Sequence, residues 1–166
     1  MSTNLPATQE TSAVAKVSAK AEEMFVTVTV GGQLFGIPVL EVRDILGPQR
    51  ITHVPLAPPE VAGALNLRGR IVTAIDVRTR LGLSAQEGSA SGMSVVVDIH
   101  GELYSLIIDK VGEVMSLPTT DFERNPSTLD QRWREVSNGI YRLKDCLLIV
   151  LDVMRLLRLN SKGQAA

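Results

Sequence analysis

One cysteine, one tryptophan and two histidines are all that this 166-residue chain contains of those types, and aromatic side chains make up 4% of it. A lone Cys146 excludes an internal disulfide. His53 and His100 show neither HxH nor HxxxH spacing and have no cysteine nearby in sequence, which excludes the usual zinc patterns. No apolar run approaches the roughly 20 residues that span a bilayer. The first twenty residues lack both a basic start and an apolar core, so the protein is expected to stay in the cytoplasm without inserting into a membrane. With 17 basic and 18 acidic residues scattered along the chain, there is no electrostatic footprint for a phosphate backbone, and nucleic acid is not expected as a partner. A phosphate-binding glycine loop is also missing, because Gly31-Gly32 falls between two strand-like runs and no GxxxxGK[ST] occurs. No nucleophile with an adjacent base stands out, so no catalytic, metal-binding or cofactor-binding residue is assigned and no enzyme is expected.

What the chain does have is a duplication. Gly63-Ala-Leu-Asn-Leu-Arg-Gly-Arg-Ile-Val-Thr-Ala-Ile-Asp-Val-Arg-Thr-Arg-Leu-Gly-Leu83 returns as Gly139 to Leu159, with Gly, Asp and apolar positions in step at a constant offset of 76. Upstream, Gly32 to Ile45 resembles Gly101 to Val114 at an offset of 69. Two copies of one structural unit are implied. The change of offset places an insertion in Thr119 to Glu135, which carries Asn125, Pro126 and Ser127 and reads as a loop. Each half is marginal for independent folding at about 65 residues, so the halves are expected to lean on each other.

Both copies begin with period-two runs. Phe25, Thr27 and Thr29 alternate with Val26, Val28 and Val30, Gly31-Gly32 makes a hairpin turn, and Leu34 to Val39 returns. Ser94 to Ile99, the His100-Gly101 turn and Leu103 to Ile108 repeat the device. Val42 to Leu46 and Val111 to Met115 are short strands, and Ile71 to Ile75 and Leu147 to Leu151 are denser ones that belong inside a sheet. Asp76 and Asp152 each precede a short helical run; a paired acid site is conceivable, but capping is the reading adopted. Gly82 and Asn160 stop those helices. Cys146, heading the run to Leu151, is expected to be buried filler. Trp133 and Phe122, inside the insertion, either plug an open end or anchor a partner. Many short strands with Gly and Pro turns predict a mainly β chain of two similar β-barrels packed side by side, with short helices.

The expected organisation is a disordered tail over 1–22, with a transient helix from Ala13 to Glu23, then one domain over 23–160 and a polar tail over 161–166. Within the domain the first barrel comes mainly from 34–90 and the second mainly from 93–150, with end strands able to cross between them.

Leu34-Phe-Gly-Ile-Pro-Val-Leu-Glu-Val-Arg-Asp-Ile45, Val61-Ala-Gly-Ala-Leu-Asn-Leu-Arg-Gly-Arg-Ile-Val72 with Ile75-Asp-Val-Arg78, and Val111-Gly-Glu-Val-Met-Ser-Leu117 resemble the CheW family, the coupling proteins of bacterial chemotaxis. The resemblance runs from about Phe25 to Leu159. Departures are small: Thr73 stands where many members carry Pro, and Asp76-Val-Arg78 replaces Asp-Leu-Arg. The resemblance implies two SH3-like five-stranded β-barrels with a hydrophobic contact between them, without catalytic activity. It further implies a scaffold that joins the cytoplasmic hairpin tip of methyl-accepting chemoreceptors to the regulatory domain of the histidine kinase CheA, in receptor arrays at the membrane.

Val42, Asp44, Arg68, Met93 and Val114 match the family's receptor groove, and Ile45 and Leu46 lie where a kinase barrel would contact. Core is the lesser alternative for Val42 and Val114. Arg68 could pair with a receptor carboxylate or hold the groove's shape. Two neighbouring readings share the resemblance, the adaptor part of a CheV-like protein and the regulatory domain of a CheA-type kinase. The polar ends of the chain and the lack of a receiver domain after Ala166 favour the small adaptor.

Overall fold

Residues 21–84 and 92–158 are described by the computed structural model. They form two five-stranded sheets. Ten strands run in chain order as β1 (Glu22–Val30), β2 (Gln33–Pro38), β3 (Val42–Leu46), β4 (Val61–Leu67), β5 (Arg70–Asp76), β6 (Met93–Ile99), β7 (Glu102–Ile108), β8 (Lys110–Pro118), β9 (Ser137–Arg142) and β10 (Leu147–Leu151). Sheet I has the order β8-β1-β2-β10-β9, and sheet II the order β3-β6-β7-β5-β4. Each sheet thus takes its hairpin from one copy of the repeat and its other three strands from the other copy. The join is a parallel pairing in both, β2 with β10 and β5 with β7.

Three of the hairpins are tight for the same reason. Gly31-Gly32, Arg68-Gly69 and His100-Gly101 are two-residue loops whose residues all have positive φ, the twist that matches paired strands. Asn66 Oδ1 accepts from the Gly69 N–H at 2.9 Å, and Asp98 Oδ1 accepts from the Gly101 N–H at 2.9 Å, so the latter two turns are each held by a side chain that precedes the turn.

The predicted closed barrels do not form. In sheet I the edge strands are β8 and β9, in sheet II they are β3 and β4, and neither pair is joined by backbone hydrogen bonds. A loop segment satisfies part of the β4 and β9 edges instead, through the bridges Thr52 with Ala64 and Glu123 with Ile140. These fall at equivalent places in the repeat. Gly63 and Gly139, beside them, have no room for a Cβ, which would run into Thr52 in one case and into Phe122 and Glu123 in the other. The approaching loop therefore occupies the space that a closing strand would need. Each sheet still curls, since both of its edges contribute to one small concave core: Leu46 and Leu65 in sheet II, Leu117 and Tyr141 in sheet I.

A larger core is shared between the sheets, with Val26, Val28, Phe35 and Ile149 from sheet I against Ile75, Val95, Val97 and Leu106 from sheet II. Short helices seal its ends. Helix α1 (Val77–Arg80) and helix α3 (Val153–Leu157) are capped as expected, Asp76 accepting from the Thr79 N–H at 3.3 Å and Asp152 from the Arg155 N–H at 3.1 Å. Arg80 reaches across the repeat and donates to the Leu156 and Arg155 carbonyls at 2.6 and 3.1 Å, closing the C-terminal end of α3. Gly82 ends α1 with φ 76°, while Asn160 lies outside the described residues.

Two further expectations change. Cys146 is exposed, because it belongs to the β9–β10 turn, where its carbonyl accepts from the Leu143 N–H, and β10 begins one residue later. The insertion is partly helical, with a 3-10 turn at Thr119–Asp121 and helix α2 (Gln131–Glu135) capped by Asp130. Trp133 of α2 packs edge-on to Phe35 at 5.4 Å, and Phe122 packs edge-on to Tyr141 at 5.6 Å. The tail expectations for residues 1–20 and 161–166 fall outside the described residues, and Glu22 and Glu23 already lie in β1.

Candidate functional site

The residues singled out for partner binding separate into two groups on β3 and its neighbours. A bulge at Arg43 sets Val42 opposite Val97 and Asp44 opposite Val96, so Val42 and Asp44 face opposite sides of sheet II. Val42 turns to the shared core, where it is half-buried, and Asp44 turns to the concave side.

On the side of the shared core, β8 of sheet I runs close to β6 of sheet II. Val42 and its repeat equivalent Val111 both lie half-buried against the core from the two sides. Met93, at the start of β6, is half-buried against the same core. Val114, paired with Val26 on β1, faces this side too and is 50% exposed. Ile45, its repeat equivalent, pairs with Val95 and is 41% exposed. Leu46 packs instead into the concave core with Leu65 and so fixes the end of β3 beside Ile45.

The second group is charged. Arg68 Nη2 donates to Asp44 Oδ2 at 3.0 Å, with the Arg68 side chain 79% and the Asp44 side chain 26% exposed. This ion pair links the two edges of sheet II that the backbone leaves apart. Arg43 pairs with Asp98 at 2.8 Å, and Arg70 donates to the Gly101 carbonyl at 2.9 Å. The Arg43 guanidinium, helped by the Gly101 N–H, holds the Asp98 carboxyl below the usual carboxylate range. Arg43, Asp44, Arg68 and Arg70, together with Leu67, Val96 and Leu103, line a shallow cleft of about 310 Å³. Arg43, Arg70 and Asp98 were not singled out from sequence. The Asx-x-x-Gly pattern shared by Asn66 to Gly69 and Asp98 to Gly101 was the available signal that two similar tips meet here.

β3 thus carries apolar Val42 and Ile45 on the face towards the shared core and the Asp44 carboxylate on the opposite face. Among the described residues, no group of three or more His, Cys, Asp or Glu side chains could hold a metal ion, and no helix is long and apolar enough to cross a membrane.

The CheW-like domain family matches residues 24–161. The chemotaxis protein CheW of Helicobacter pylori is 29% identical over 90% of this chain and 91% of its own length. CheW of Rhizobium meliloti is 26% identical over 75% of this chain and 80% of its own. Among solved structures, the scaffolding protein TtCheW from Thermoanaerobacter tengcongensis superposes with a TM-score of 0.71 at 27% identity, covering 79% of this chain and 89% of that one. The chain belongs to the CheW family of chemotaxis adaptor proteins.

Proposed function

We propose that the groove between the sheets receives the cytoplasmic hairpin tip of a chemoreceptor, with the charged cleft beside it fixing the tip's register. As a CheW-type protein the chain is a non-enzymatic scaffold that links chemoreceptors to CheA. It acts by raising the effective concentration of one partner at the other and by letting a change of receptor state bias the kinase. The reading is supported by Val42 and Val111, repeat equivalents on different sheets that are both half-buried against the shared core, and by half-exposed Val114 on the same side, which together would be the apolar floor and rim of that groove. A helix laid there would place apolar side chains on the floor. Its charged residues would exchange with the Asp44–Arg68 pair, whose exposure keeps the cost of opening it small. Ile45, held by Leu46, is the proposed contact for the regulatory domain of the kinase. The scaffold works in the cytoplasm at receptor arrays.

The test is capture of a receptor tip fragment and of a CheA-type regulatory domain by the purified protein. Val114→Lys puts a charge on the rim without disturbing the buried core, so receptor affinity is expected to fall by about tenfold or more, with kinase capture and thermal midpoint retained. Arg68→Asn keeps a residue that tolerates positive φ while removing the ion pair, and is expected to weaken receptor capture alone. Unchanged receptor binding in both variants would place the receptor elsewhere.

A further inference from the structure

The two copies of the repeat differ in what fills their concave interiors. In sheet I the space is taken by Phe25, whose ring meets Tyr141 edge-on at 5.6 Å, with Leu148 and Val150 beside it. Room for that ring depends on Gly36, since a Cβ there would come within 3.2 Å of the Phe25 Cβ and 3.1 Å of Leu148. The strand registers identify the counterparts in sheet II. Phe25 pairs with Pro38 as Ser94 pairs with Ile107, Gly36 pairs with Val150 as Ser105 pairs with Ala74, and Tyr141 pairs with Leu148 as Leu65 pairs with Val72. A phenylalanine and a tyrosine are thus replaced by a serine and a leucine, and a glycine by a serine.

The exchange leaves a hollow of about 250 Å³, lined by Ile51, Leu65, Ile107, Ser105, Gln49 and Asp76. The hollow opens to solvent beside exposed Gln49, whereas the sister copy fills the equivalent space with apolar side chains. Two polar features mark the hollow. Ser105 is 1% exposed and its Oγ has no hydrogen-bond partner, which a hydroxyl buried among protein atoms does not normally tolerate. Asp76 is the charged residue in the lining. Its counterpart Asp152 has a cationic neighbour, Arg155 Nε at 3.4 Å, but the position matching Arg155 is Thr79. Arg78, next to Asp76, is committed to Asp109 through two hydrogen bonds of 2.8 Å.

We propose that this hollow in sheet II is a binding site for a small primary amine, its apolar body against Ile51, Leu65 and Ile107 and its ammonium donating to the Asp76 carboxylate and the Ser105 hydroxyl. The side-chain carbonyl of Gln49 offers a third acceptor at the mouth. An anion would meet Asp76 with no cation in the lining, and a purely apolar molecule would leave the buried hydroxyl unsatisfied. This site stands on the comparison of the two sheets and is independent of where receptor and kinase dock.

Backbone amide shifts of the full chain would be followed during titration with butylammonium chloride, 1-butanol and sodium butyrate at constant ionic strength. The expected result is saturable change at Gly92, Ser94, Ser105 and Ile107 with the amine, at an affinity about tenfold or more above that for the alcohol. The variant Ser94→Phe with Ser105→Gly copies the filling of sheet I, so it is expected to fold and to abolish binding. Asp76→Asn keeps a capping side chain and is expected to lose the preference for the amine over the alcohol. Equal response to amine and alcohol in the wild type, undiminished binding in the filled variant, or no response to the amine would each overturn the proposal.

Discussion

Glu41 closes the 3-10 turn that leads into β3, and its Oε2 atom is buried without a partner. Burial, with Asp152 and Glu23 nearby adding repulsion, raises its pKa above the ordinary glutamate value. A carboxyl whose folded pKa is raised contributes stability that is fully present below the unfolded value and is lost as pH rises through the folded one, so at neutral pH the charged group works against folding. Glu41→Gln is therefore expected to stabilise the protein by about 1 kcal/mol at pH 7. The gain should be smaller at about pH 4, because the raised pKa lets wild-type Glu41 take up its proton as the pH falls. Thermal melts at both pH values check this, and an equal gain at the two would sink it. Nothing in the sequence marked Glu41, because its environment is made by residues distant in the chain. Cys146 was a readable error, since the offset of 76 matches it to Arg70, an exposed residue at the mouth of a turn, and the repeat outweighs the apolar run that follows.

At the scale of elements, the sequence announced hairpins, internal strands and capped helices correctly because each is set by nearby residues: turn glycines, alternation, an Asp before a helix. Closure was not legible, because it depends on what the loops before β4 and β9 do. The repeated glycines Gly63 and Gly139 were visible as markers of the duplication, but their reason is the close approach of Thr52 and Glu123. Gly63→Ala would force that loop off the edge of sheet II, at an expected cost of about 1–3 kcal/mol, read as a lower urea midpoint. An unchanged midpoint would mean that the loop yields freely and does not guard the edge.

A second contact between elements ties the copies together. Asp109, in the β7–β8 connection, receives Arg78 of α1 and the Gly31 N–H of the β1–β2 turn at 2.9 Å. The Arg78 guanidinium above all, assisted by that N–H, holds its carboxyl below the ordinary range. A depressed carboxylate contributes stability present above the unfolded value, and this is lost as pH falls through the folded one. Wild-type stability should accordingly drop below about pH 4, and Asp109→Asn should be less stable than wild type at pH 7 by about 1–2 kcal/mol, with the difference narrowing in acid. Chemical denaturation across that range tests it, and a constant difference would remove Asp109 from the acid response.

For the whole molecule, the duplication was legible and end strands were expected to be able to cross, but which hairpins are exchanged was not legible, because one sequence offset cannot say which partner a strand chooses. The exchange has a thermodynamic consequence. Sheet I needs β1 and β2 from the first copy, sheet II needs β6 and β7 from the second, and the shared core draws on both sheets. Arg80 adds a hydrogen-bonded link from α1 to α3. Neither copy can complete a sheet alone, and each falls below the size at which a small core sustains folding. Unfolding is expected to be one cooperative transition, with far-ultraviolet circular dichroism and Trp133 fluorescence changing together. Separately made fragments 1–90 and 91–166 should each lack dispersed amide resonances, and mixing them should restore the spectrum of the intact chain. Independent folding of either fragment would show that a hairpin can be replaced from within its own copy, and the exchange would then be a consequence of chain continuity with no part in stability.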